Sequence, residues 1–139
     1  VNNRTPEGIA VNAFHWPVRV YWEDTDAGGV VYHAQYVAFL ERARSEWLRH
    51  LGWSQVHLRD QHGVQFVVAS LSVDFHKPAR YDDQLLINAS LESIRGASLT
   101  FKQEVWRDAE RLLSARVVVA CVDATSFRPK RLPAGLNFA

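Results

Sequence analysis

Two hydrophobic periods divide this chain. From Tyr36 the apolar residues recur at Tyr36, Phe39, Leu40, Ala43, Trp47, Leu48 and Leu51, the spacing of one broad helical face, while Glu41, Arg42, Arg44, Glu46 and Arg49 fall mostly opposite. No proline interrupts the run, and Gly52 stops it. The pattern predicts a helix over 34–51, about 27 Å long at about 1.5 Å per residue. Beyond Gly63 the period becomes two. Over 64–79, Val67, Ala69, Leu71, Val73 and Phe75 alternate with Phe66, Val68, Ser70, Ser72, Asp74 and His76. Residues 85–93 and 99–106 alternate in the same way. Residues 112–125 are apolar on both faces, which predicts a central strand or one whose outer face meets another subunit.

The punctuation fits these elements. Residues 14–22 read as a strand, with Val18, Val20 and Trp22 on one face, and Pro17 assigns it to a sheet edge or its start. Ser54 stands as an N-cap before a short helix over 55–61, which Gly63 ends. Pro78 with Asp82-Asp83, Arg95-Gly96 and Asp108-Ala109-Glu110 are turn signals. The order is strand, long helix, then four strands with short links, which predicts antiparallel neighbours. One long apolar helix and one sheet bury their faces only against each other, so the fold class is α+β, an antiparallel sheet curled around the helix. At 139 residues, with no repeat or linker, this is one domain over 14–139 behind a flexible N-terminal tail, 1–13.

Composition removes several function classes. A net charge of +1 gives no general affinity for nucleic acid. Of 16 basic residues only Lys77, Lys102 and Lys130 are lysines; the arginine bias suits phosphate recognition but carries little weight alone. The longest apolar run, 117–122, is far too short to span a membrane, and the N-terminal residues show no signal-peptide pattern. The single Cys121 excludes an intrachain disulfide and sits in an apolar run, as an inert buried thiol would. A cytoplasmic location is the expectation.

The candidate chemistry lies between the first strand and the long helix, in W-E-D-T-D-A-G-G-V-V-Y-H from Trp22 to His33. Glu23, Asp24 and Asp26 supply carboxylates. Gly28 and Gly29 allow close backbone approach. The helix that follows turns its unpaired N–H groups toward the same place. A thioester or ester carbonyl over that terminus would accept from a backbone N–H near Tyr32 or His33. Asp26 would then activate water as general base or attack the carbonyl carbon itself. The plain alternative is that Asp26 only caps a turn. His33 is either a polar group lining the same pocket or an exposed helix-start histidine. Glu23 and Asp24 serve the turn. No H-x-x-x-H or C-x-x-C pattern supports a metal site. Neither a G-x-S-x-G elbow nor a G-x-G-x-x-G or phosphate-cradling loop occurs. Arg95 in its hairpin, and Arg128, Lys130 and Arg131 near the C-terminus, are either phosphate contacts for a large ligand or solvated loop charges.

The stretch V-R-V-Y-W-E-D-T-D-A-G-G-V-V-Y-H-A-Q-Y-V-A-F-L-E-R-A-R resembles the signature of the 4-hydroxybenzoyl-CoA thioesterase family, and within it the bacterial Tol-Pal-associated acyl-CoA thioesterases. R-G-A-S-L-T-F from Arg95, P-A-R-Y-D-D from Pro78 and V-V-V-A-C-V-D from Val117 extend the resemblance, which covers roughly 15–133. It implies a hotdog fold, with the sheet as bun and the helix as sausage. It implies homodimers built by joining sheets edge to edge, commonly paired into homotetramers, with the active site at the subunit interface. The implied reaction cleaves acyl-CoA, short-chain or aromatic, to free acid and CoA, without metal or cofactor. The resemblance puts the catalytic aspartate on Asp26 and the pocket residue and carbonyl-holding N–H on His33, with Gly29, Val30 and Tyr32 beside the substrate. Contacts to pantetheine and nucleotide, often from the partner subunit, fall on Arg95 and Ser98. Acyl carrier protein is an implied partner, and a non-catalytic role in an envelope complex is one alternative. The other is an acyl-thioester hydratase or dehydratase of the same fold. Its D-x-x-x-x-H pairing does not fit the six residues between Asp26 and His33.

Overall fold

The computed structural model describes residues 13–134 and 136, so nearly all of the tail expected over 1–13 lies outside the described residues. Strand β1 (Phe14–Arg19) leads through a 3₁₀ turn (Trp22–Asp24) to helix α1 (His33–His50) and helix α2 (Gln55–His62). Strands β2 (Val64–Phe75), β3 (Gln84–Arg95), β4 (Ser98–Arg107) and β5 (Glu110–Asp123) follow. All pairings are antiparallel, in the order β1-β3-β4-β5-β2. α1 lies across the sheet's inner face, the helix-in-sheet arrangement that the periodicity predicts.

Local chemistry sets the boundaries. β1 stops short of Trp22 because the Asp24 carboxylate accepts from Tyr21 N (2.8 Å) and Asp24 N donates to the Tyr21 carbonyl (3.0 Å), which winds the chain into a turn. α1 begins at His33 because Tyr32 is extended, with φ −61° and ψ 135°. Ser54 Oγ accepts from His57 N (3.1 Å) as the N-cap of α2, and Gly63 ends that helix at φ 65°. Pro17 sits in an edge strand, where its missing N–H does no harm. β5, apolar on both faces, lies inside the sheet between β4 and β2.

Two expectations are corrected. Short links place β3–β4 and β4–β5 side by side, but β2 and β3 are not neighbours: β2 pairs with β5 at one edge, β3 with β1 near the other. Residues 76–83 make that crossing beneath the curled end of the sheet, where His76 N and Lys77 N donate to the Leu112 carbonyl (2.9 and 3.1 Å). The face assignment of β2 also changes. A bulge between Val68 and Ser70 inserts Ala69 and shifts the alternation by one residue. Phe66 and Val68 before it, and Leu71, Val73 and Phe75 after it, therefore share the helix-facing side opposite Cys121, Val119, Val117, Ala115 and Leu113. A strict period of two cannot register an inserted residue.

The core runs along α1 in two clusters. Tyr36, Phe39, Leu40 and Ala43 pack on Val20, Leu85, Ile87 and Leu113; Trp47 and Leu48 pack on Leu58, Leu99, Phe101 and Val117. Each fully buried side chain such as Phe39 or Leu40 contributes about 1.5–3 kcal/mol. The segment expected to be irregular beyond Phe127 is tied down: Asp123 N donates to the Arg128 carbonyl (2.8 Å), Lys130 N to that of Cys121 (2.9 Å), and Leu132 packs on the second cluster.

Of the buried polar side chains Asp24, Asn88, Gln103 and Glu104, one ties the helix to the sheet. Gln103 is fully buried on β4. Its amide donates to the carbonyls of Leu40 (3.0 Å) and Asn88 (3.1 Å), and its Oε1 accepts from Arg44 Nη1 (2.9 Å). One side chain thus fixes the helix against two strands. Gln103→Leu should lower stability by about 2–4 kcal/mol, because it strands a half-buried guanidinium. Ser45→Ala on the helix surface should stay within about 0.5 kcal/mol. Urea unfolding followed by tryptophan fluorescence measures both.

Candidate active site

Two loops meet at the start of α1. The first, residues 20–32, is held to the second, residues 76–83, by backbone bonds of 2.9 Å from Val20 N to Asp83 O, Asp82 N to Val20 O and Val31 N to Ala79 O. The first turn of the helix closes the joint, since Tyr36 Oη accepts from Ala79 N (2.9 Å). Arg107 braces the second loop from β4, donating to the Asp83 carboxylate (2.8 Å) and the Pro78 carbonyl (3.2 Å). Burial pushes the Tyr36 phenol above its usual range; the carboxylates of Asp83 and Asp26 act in the same direction.

Asp26 stands in the exposed turn that this frame supports. Its main chain donates to the Val30 carbonyl (2.9 Å) and accepts from Gly29 N (3.0 Å). Its Oδ1 accepts from Gly28 N (2.8 Å), and its other oxygen has no partner among the described residues. The turn-capping alternative is therefore what half of the carboxylate does; the other half stays open to solvent. Gly29 carries φ 79°, and a Cβ on Gly28 would meet Asp26 Oδ1 at 3.1 Å. The two glycines thus do different work: one turns the chain, the other lets a carboxylate lie against its backbone.

The helix start faces this turn without a side-chain cap. Tyr32 occupies the N-cap position with no cap hydrogen bond, and no acidic residue sits in the first turn. Tyr32 N is taken by the Asp24 carbonyl (2.9 Å) and Gln35 N by the Tyr32 carbonyl (2.8 Å). His33 N, at the first helical position, has no such partner among the described residues. The rings of Tyr32 and His33 lie against each other, 4.4 Å between centroids, and both side chains are exposed. Asp24 is buried and turned onto Tyr21 N, so it cannot join Asp26 around a metal. Among the described residues no group of three histidine, cysteine or acidic side chains is placed to hold a metal ion. Cys121 is buried mid-strand, where burial pushes its thiol up, away from nucleophilic use.

The structure brings Asp26, Gly29, Val30, Tyr32 and His33 into one loop–helix junction. It does not bring Arg95 and Ser98 there. They face each other across the β3–β4 hairpin, whereas the junction adjoins the Gln84 end of β3. The two ends of that strand are roughly 35 Å apart along the chain at about 3.3 Å per residue. Three features of the rim are not read from sequence patterns. They are the Tyr36 hydroxyl anchor, the Arg107 brace, and an exposed Trp22–Tyr81 stack, 3.8 Å between centroids, that bridges the loops. Their partners stand 43, 24 and 59 positions apart in sequence, beyond any periodicity.

The thioesterase superfamily pattern matches residues 28–114, more than half of the chain. The chain belongs to the thioesterase superfamily. It is 53% identical over 121 residues to the acyl-CoA thioester hydrolase YbgC of Escherichia coli O6:H1, covering 86% of this chain and 90% of that one. It is 45% identical to the acyl-CoA thioesterase YbgC of Haemophilus influenzae over 122 residues, 88% of this chain and 90% of the relative. Among solved structures, a probable thioesterase from Bartonella henselae superposes with TM-score 0.82 at 35% identity, covering 87% of this chain and 99% of that one. The sheet and helix are those of the hotdog thioesterases, and the chain is a thioester hydrolase.

Within this superfamily setting Gly28 has a checkable role. Gly28→Ala should keep the fold, because the position does not require positive φ, yet push the Asp26 carboxylate aside by a few tenths of an ångström. Thioester turnover should fall about tenfold with the melting temperature nearly unchanged. A thiol-release assay beside a thermal melt measures both.

Proposed function

We propose that this enzyme hydrolyses acyl-CoA to the free acid and CoA, with a short-chain or aromatic acyl group, in a reaction centred on Asp26 and the start of α1. The observation that carries this reading is the pairing of a half-engaged carboxylate with an uncapped helix N-terminus, held together by the Val31–Ala79 and Tyr36–Ala79 bonds. The His33 N–H donates to the thioester carbonyl oxygen and stabilises the oxyanion, helped by the positive end of the helix dipole. The open oxygen of Asp26 takes a proton from water as that water attacks the carbonyl carbon, or itself attacks that carbon to give an anhydride that water then opens; in either route the C–S bond breaks and CoA leaves as the thiolate, which takes up a proton. Gly29, Val30 and Tyr32 flank the acyl thioester. The names of the E. coli and H. influenzae relatives support acyl-CoA as the substrate. Acyl carrier protein, which offers the same kind of thioester, is the second source we propose, in a cytoplasmic setting.

The complete site takes two copies. β2 is a twelve-residue edge strand whose outer edge has no neighbour among the described residues, and Asp74 is its single charged residue. Such an edge invites a second strand. Joining two sheets there makes a homodimer able to supply Arg95 and Ser98 from the partner subunit, which one chain cannot do. Sedimentation equilibrium should give a mass of at least twice 15.8 kDa; a monomer that is fully active would sink the shared site.

The chemistry has a sharper test. Asp26→Asn should fold normally and lose about 10²–10⁴-fold in turnover of short acyl-CoAs. His33→Pro removes the proposed donor together with the imidazole, and proline is accepted at a first helical position after an extended Tyr32. It should lose about 10²–10³-fold. His33→Ala, which keeps the N–H, should lose much less. Equal effects of alanine and proline would reject the backbone donor, and an Asp26→Asn enzyme as fast as the parent would reject the carboxylate.

A further inference from the structure

A second feature of the molecule lies away from the Asp26 turn. Between the C-terminal half of α1 and strands β2, β4 and β5 is a cleft of about 120 Å³. Trp47, Leu48, Phe66, Val68 and Phe101 give it apolar walls, and Arg44 stands among them. The guanidinium is half-buried, yet its single hydrogen bond is to a neutral group, Gln103 Oε1, at 2.9 Å. Among the described residues no carboxylate lies within ion-pair distance of it. Glu41, one helical turn before it and also on the cleft wall, accepts instead from Ser45 Oγ at 2.8 Å. Burial pulls the Arg44 pKa below its usual value, and Glu41 only partly offsets this. The remaining N–H groups of Arg44 are not sealed in the interior without a partner. Arg44 is one of the residues that line the cleft.

A half-buried cation whose nearby carboxylate makes no ion pair with it is costly to keep, and an acceptor that enters the cleft lowers that penalty. We infer that this cleft binds a small organic carboxylate, with an apolar body of a short chain or one ring, and that Arg44 is its charged partner. The planar guanidinium fork matches a carboxylate. The apolar walls favour a ligand whose other end is hydrocarbon, and disfavour inorganic phosphate. Size sets the upper limit: a closed cavity of about 150 Å³ holds a benzene ring, so this cleft of about 120 Å³, open on one side, takes a few carbons or one ring seated part-way. Arg44 is about 16 Å along α1 from His33 at about 1.5 Å per residue, so an acid held here leaves the Asp26 turn of its own chain open. As to the physiological ligand, the inference rests on the proposed reaction, whose acid product belongs to this class. Binding itself is measured without any thioester.

The test is calorimetric titration of the intact protein with benzoate, butyrate and benzamide, the last a neutral molecule of nearly the same shape as benzoate. Benzoate should bind saturably, and benzamide about tenfold more weakly or worse. Arg44→Gln should weaken benzoate about tenfold and leave benzamide unchanged. Val68→Trp, at an edge-strand position on the cleft wall, should weaken both by filling the space. If benzoate fails to bind saturably, if benzamide matches it, or if neither substitution alters it, the inference is overturned. Should Arg44→Gln not fold, benzamide and Val68→Trp decide alone. Thiol release without carboxylate binding would remove this inference and leave the proposed reaction standing; carboxylate binding without thiol release would do the reverse.

Discussion

One helix has to bury one face in one sheet, and everything at the site follows from where that leaves its first turn. Tyr36, Phe39, Leu40 and Ala43 are buried against the strands, so the axis and rotation of α1 are not free. Its N-terminus is therefore delivered to a fixed point, where Ala79 donates to the Tyr36 hydroxyl and accepts from Val31 N. The Asp26 turn hangs between those two bonds. Its own residues are exposed and contribute little to the core, which suits the chemical duty proposed for it. Rigidity comes from packing one helical turn away, and exposure comes from the glycines.

The same geometry explains why a capped turn and a working carboxylate are not rival descriptions of Asp26. A carboxylate has two oxygens. The Gly28 N–H holds one at 2.8 Å, which fixes the direction of the other. An N-cap side chain on α1 would have filled the donors that the site needs; Tyr32 cannot fill them. The helix forgoes roughly 0.5–2 kcal/mol of capping, and packing of its apolar face makes up the difference.

Much of this was legible in the residues. The 3.6-residue period of 36–51 located α1 to within one residue at each end, and Gly63, Gly96 and Pro17 marked real turns and a real edge. The D-T-D-A-G-G-V-V-Y-H stretch located the junction, because all of its groups are close in sequence. What stayed hidden depends on distance or on insertion. Ala69 breaks a period of two without changing the apolar count, so the faces of β2 read wrongly until Phe66 and Phe75 are seen on one side. The step from β2 to β3 looked like a hairpin because its length allows one. Only the curl of the sheet, set by the helix inside it, lets so short a segment reach the other edge. The Arg107 brace and the Tyr36 anchor join residues tens of positions apart, and no local pattern encodes them.

The position of Gln103 connects these levels. A buried amide in a sheet that wraps a helix needs partners on both sides, and Gln103 finds them in the Leu40 carbonyl, the Asn88 carbonyl and the Arg44 guanidinium. An apolar residue there would fill the space equally well but would permit the helix to slide along the sheet by small steps at little energetic cost. The directional bonds forbid that motion, and motion along the axis is the one that would carry His33 N away from Asp26. The same bonds hold a cation at the wall of an apolar cleft, where charge is otherwise rare. Gln103 thus sets the depth of the helix in its sheet, and with it the alignment of the junction at one end and the chemistry of the cleft at the other.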